Sequence, residues 1–118
     1  MPDINVPLLR KSLEHITAHP EEWDQKVWAK RTDCGTACCL AGTALAIQGY
    51  EFEWSFGAFS REAFATADGE NIGDTAQEEL GLTDDEADAL FSETNSLSRL
   101  WALANDYTDG EIKIPENL

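Results

Sequence analysis

The sequence predicts a mainly α fold: a compact bundle of about four to five short helices around a central small-residue helix, with a small strand or hairpin near 50–70. Three observations carry that prediction. Apolar residues recur at three- and four-residue spacing in separate segments. Residues of N-cap type precede those segments, and glycines follow several of them. Between Thr36 and Gln48 the chain is rich in small residues and carries no charge, as an element enclosed by others must.

Taken in order, Asn5 is an N-cap and Pro7 falls in the first turn, where its missing N–H costs little. Val6, Leu9, Leu13 and Ile16 then form one stripe, and Pro20 ends the helix near His19, giving a first helix over about 6–19. Trp23, Val27 and Trp28 show no decisive period. Thr36 to Gln48 reads as the central helix. Ala37, Ala41, Gly42, Ala44 and Ala46 admit close backbones, Leu40, Leu45 and Ile47 supply apolar bulk, and Gly49 stands at the C′ position. Tyr50 to Trp54 alternates apolar and acidic, the period of a strand, and 55–70 reads as irregular or a hairpin. Asp74 caps a short helix that Gly81 stops, and Thr83-Asp84-Asp85-Glu86 is a capping box opening another, with Ala87, Leu90 and Phe91 inward. Leu97, Leu100, Trp101 and Ala104 line a last helix over about 96–106, and the tail with Ile112 and Ile114 is extended.

A chain of 118 residues fits one core, so residues 1–118 are expected to form a single acidic globular domain. Its formal net charge is −15. Residues 1–31 are balanced, five basic against five acidic, so the whole excess lies downstream. Between Arg61 and Arg99 there is no Lys or Arg, against eleven carboxylates. Such a field repels nucleic acid and anionic membrane and attracts basic surfaces. The expected partner is therefore a basic protein surface of a host, met by Glu70, Asp74, Glu78, Glu79, Asp84, Asp85 and Asp88. Direct contact with nucleic acid or membrane is not expected, and a homodimer is compatible with the sequence. No basic n-region or apolar h-region opens the chain, and no apolar run approaches the roughly 20 residues a bilayer demands. The three cysteines sit within 34–39 and cannot make long-range staples. A cytoplasmic protein is expected.

The cluster Cys34, Cys38 and Cys39 has two chemical readings. His15 and His19, one helical turn apart, with Cys34 and Cys39 could make a zinc site, although C-x3-C-C is not the usual C-x2-C knuckle. Cys34 before a helix start could be a thiol nucleophile with His15 or His19 as base, but no cysteine-hydrolase signature surrounds it. Free cysteines in a small-residue helix are otherwise buried packing residues. Two calcium-like stretches fail their pattern: 105–116 has Tyr107 at a ligand position, and 68–79 has Ile72 at one. There is no phosphate loop and no nucleophile elbow. No catalytic residue, metal or cofactor is therefore expected, and the chain reads as a binding protein, not an enzyme.

The run Cys34-Gly35-Thr36-x-x-Cys39-x-Ala41-Gly42 follows Leu13-Glu14-His15-Ile16 and Trp23-Asp24-Gln25, and precedes Leu80-Gly81-Leu82-Thr83 and Leu90-Phe91. Together these resemble a group of small uncharacterised proteins of bacteriophages and actinobacteria, over about two thirds of the chain. Thr43 departs from the tryptophan of that group. The resemblance implies a phage-related origin and no mechanism. With the acidic stretch it suggests an inhibitor of a host protein, of nucleic-acid-mimic or anti-defence type.

Overall fold

The computed structural model describes residues 4–19, 23, 29–32, 35–54, 61–66, 68–92 and 94–116. Among them the elements run α1 (Val6–Ala18), β1 (Ala29–Thr32), β2 (Gly35–Cys38), α2 (Leu40–Ile47), β3 (Phe52–Trp54), β4 (Arg61–Thr66), α3 (Ile72–Leu80), α4 (Asp84–Leu90) and α5 (Leu97–Tyr107). The fold is mainly helical, as the periodicity predicts. The expected hairpin is β3–β4, whose antiparallel register pairs Phe52 with Thr66 and shifts between Glu53 and Trp54. A second hairpin, β1–β2, pairs Ala29 with Cys38 and Thr32 with Gly35. Strands β1 and β4 join the two hairpins into one four-stranded sheet of order β2-β1-β4-β3.

Helix α1 buries Leu8, Leu9, Ser12, Leu13 and Ile16. Its two buried or half-buried hydroxyls stay satisfied within the helix: Ser12 Oγ donates to the Leu8 carbonyl at 2.8 Å and Thr17 Oγ1 to the Leu13 carbonyl at 2.7 Å. Asn5 does more than cap. Its Oδ1 accepts from the Leu8 amide, its backbone N–H donates to the Leu80 carbonyl at 2.8 Å, and its Nδ2 donates to the Glu79 carbonyl at 3.1 Å. The start of α1 is thereby clipped onto carbonyls at the end of α3 that have no partner within their own helix.

The central helix is shorter than the sequence predicts. It begins at Leu40, not Thr36, because residues 35–38 form the strand β2 against β1. Cys39 is the N-cap, in extended conformation, and its Sγ accepts from the Gly42 amide at 3.5 Å. Leu40 to Leu45 are all buried, which is why this helix has no charged side. Its end follows expectation: Gly49 has φ +89°, a left-handed conformation that glycine adopts without a Cβ penalty.

Two apolar clusters hold these elements. The larger gathers Leu9, Leu13, Leu40, Leu90, Leu100 and Trp101 with neighbours from all five helices. The smaller gathers Cys39, Ala41, Leu45, Ile72 and Ala76 between α2 and α3, with Tyr50, Phe52 and Phe91 packed against it. In the tail Ile112 is fully buried while Ile114 is 46% exposed, so only the first of the two isoleucines belongs to the core. Among the described residues no helix is long and apolar enough to cross a membrane.

Candidate functional site

Helices α3 and α4 follow one another through the short turn Gly81–Thr83 and carry most of the expected partner-binding carboxylates. Gly81 lies at φ +68° and ends α3 with its N–H on the Glu78 carbonyl. The N-cap of α3 is Asn71, not Asp74: Asn71 Oδ1 accepts from the Asp74 amide at 2.9 Å, and Asp74 occupies the first turn. There its charge complements the positive end of the helix dipole. The capping box of α4 is present as predicted, with Thr83 Oγ1 accepting from the Glu86 amide and Glu86 Oε1 from the Thr83 amide. Gln77 ties the two helices together, its Nε2 donating to Asp84 Oδ1 at 2.8 Å and to the Leu82 carbonyl at 3.3 Å.

The seven expected residues divide by environment. Glu70, Asp74, Glu78, Asp85 and Asp88 are exposed. Asp84 is also exposed, but one of its oxygens receives the Gln77 amide. Glu79 is half-buried and accepts the Tyr50 hydroxyl at 2.6 Å, a bond between α3 and the chain just before β3. The Tyr50 phenol is held above its ordinary value of 10.0, first by this hydrogen bond, then by burial, then by the negative charges of Glu79, Asp68 and Glu78. Asp68, Glu78 and Glu79 thus converge on Tyr50. Beside it a groove of about 400 Å³ runs between Gln48, Glu51, Thr66 and Asp68.

Tyr50 and Asp68 are absent from the expected set. Asp68 belongs to the acidic run between Arg61 and Arg99 and lies only two residues before Glu70, the first of the expected set. Tyr50 has no such signal: it lies 29 residues from Glu79, and no local pattern announces the contact.

The residues of the metal and thiol readings are placed differently. Cys34 lies outside the described residues. Cys39 is 1% exposed and its sulfur is engaged in capping α2. His15 and His19 meet at the end of α1, ring centroids 4.9 Å apart. Among the described residues no group of three or more His, Cys, Asp or Glu is arranged to hold a metal ion. A groove of about 730 Å³ opens between α1, α5 and the tail, with Arg10, Glu14, Trp101, Glu111 and Lys113 among its walls. The Arg10 guanidinium donates across it to the Glu111 carbonyl at 3.0 Å. The 105–116 stretch is a helix end, where Asn105 Nδ2 donates to the Ile112 carbonyl at 2.9 Å and Asp109 and Gly110 adopt positive φ. Comparison with family models, with curated proteins and with solved structures gives no match for the chain.

Proposed function

We propose that the protein is a non-catalytic, phage-related, acidic binding protein of the cytoplasm, which docks its α3–α4 carboxylates on a basic surface of a host protein and inhibits it. The observation that carries this reading is the exposure of Asp74, Glu78, Asp85 and Asp88 on two consecutive capped helices, with Glu70 exposed just before the first of them. Carboxylates that only solubilise a chain need no fixed scaffold. Carboxylates that imitate the phosphates of a nucleic acid do, because a partner's Lys and Arg side chains are already placed. A net charge of −15 adds long-range attraction to the fixed contacts.

The test is capture from bacterial lysate at low salt on two immobilised proteins, the parent and the variant Glu78→Lys/Asp88→Lys. A basic protein retained by the parent, released as salt rises and not retained by the variant supports the reading. Retention of the same proteins by both, or of none by either, refutes it.

A further inference from the structure

His15 and His19 stand one turn apart in the last turn of α1, His19 as its C-cap. His19 is exposed and His15 half-buried. Their rings lie 4.9 Å apart between centroids, tilted by 42°. We infer that this pair is a two-imidazole binding site for a divalent transition-metal ion of the copper, nickel and zinc class, with water completing the coordination.

The ring separation is the main argument. Metal–imidazole bonds of about 2.0–2.1 Å put each ring centroid ~3.2 Å from the ion, and ligand angles between square and tetrahedral then separate the centroids by ~4.5–5.2 Å. The observed 4.9 Å lies inside that window, the separation that two rings sharing one ion require. A neutral imidazole has two nitrogens. Each ring can therefore keep a hydrogen bond on one while coordinating through the other, which is how metal-bound histidines are ordinarily held.

The setting favours a cation as well. A helix C-terminus carries partial negative charge and carbonyls without intrahelical partners. The net charge of −15 raises the local concentration of cations around the whole chain. Among the described residues no third protein ligand joins the two imidazoles. The site also does not use Cys39, whose sulfur is buried at the start of α2.

The chain has only two histidines, which makes the test direct. Untagged protein is titrated calorimetrically with copper, nickel and zinc chlorides, and the copper complex is examined by electron paramagnetic resonance. One ion per chain is expected, copper binding tightest by the Irving–Williams order, with coupling to two nitrogens. Hydrogen-bond partners of metal-bound imidazoles alone are worth roughly 10–100-fold in affinity, so His15→Gln or His19→Gln should each weaken binding by at least about tenfold. Since His19 is exposed, its variant keeps the fold and remains informative if His15→Gln does not. Absence of one-to-one binding overturns the inference. So does binding that survives His19→Gln, or that is lost in Cys34→Ser but kept in the histidine variants.

Discussion

Trp101 joins packing and hydrogen bonding in one side chain. It is 3% exposed, sits in the larger apolar cluster, and its indole Nε1 donates to Thr17 Oγ1 at 2.9 Å, linking α5 to α1. Thr17 in turn donates to the Leu13 carbonyl, so the indole N–H is satisfied without breaking the helix it touches. Trp101→Ala should destabilise the fold by about 3–5 kcal/mol, the cost typical of emptying a buried aromatic site. Trp101→Phe keeps much of the volume but loses the donor, and should cost about 1–2 kcal/mol. Urea unfolding of the three proteins checks both, and a Trp101→Ala variant as stable as the parent would remove α5 from the core. Tyr50 gives a residue-scale prediction of a different kind. Its raised value means that the protonated phenol is favoured in the folded state. The contribution is complete below the unfolded value of 10.0 and is lost as pH rises through the higher folded value. Glu79→Gln removes the carboxylate that is the first cause of the shift, so the Tyr50 titration, followed by ultraviolet absorbance in a Tyr107→Phe background, should move down toward 10.0. An unchanged titration would mean that Glu79 does not hold the phenol.

At the scale of the element, short helices depend on their ends. Helix α4 has seven residues, too few for intrinsic propensity to sustain it, and its capping box supplies two of the bonds its first turn lacks. Thr83→Ala should therefore cost about 0.5–2 kcal/mol, while Thr83→Ser should be nearly neutral. Thermal melts distinguish the two, and equal melting of Ala and Ser variants would mean that packing of Ala87 and Leu90 alone sets the helix. The same end signals explain what could be read in advance. Asn5 and Thr83 act as caps where the sequence places them, and Gly49 and Gly81 take positive φ where stops are expected. The sequence pattern puts the α3 cap at Asp74, three residues late, because Asn71 is followed by Ile72 and Gly73, and glycine weakens the appearance of a helix just where it begins. The strand β2 has no local signal for another reason. Gly35 to Cys38 run into α2 without a break in composition, and only the pairing with β1, and of β1 with β4, makes them a strand. The Tyr50–Glu79 bond depends on the tertiary fold in the same way.

For the whole molecule, the uneven distribution of charge is the property on which the proposed docking rests. The backbones that carry the carboxylates of α3 and α4 are anchored to a core to which each of the helices α1 to α5 contributes. Glu78 lies in the last turn of α3 and Asp88 beyond the first turn of α4, positions where a lysine is tolerated by the helix dipole. Reversing these two charges leaves the caps at Asn71 and Thr83, the Gln77–Asp84 link and the Tyr50–Glu79 bond untouched. Exposed charges are screened beyond ~8 Å at physiological ionic strength, so attraction that steers a partner from a distance must weaken with salt. The most direct measurement is the association rate with a captured partner across a salt series, for the parent, for Glu78→Lys/Asp88→Lys, and for a control reversing the exposed Glu14 and Asp106 outside the α3–α4 face. The docking account predicts a rate that falls steeply with salt in the parent, is low and less salt-dependent in Glu78→Lys/Asp88→Lys, and stays close to the parent's in the control. Equal loss in both variants, or a rate indifferent to salt, would contradict it and leave the acidic face as a solvated surface without a docking role.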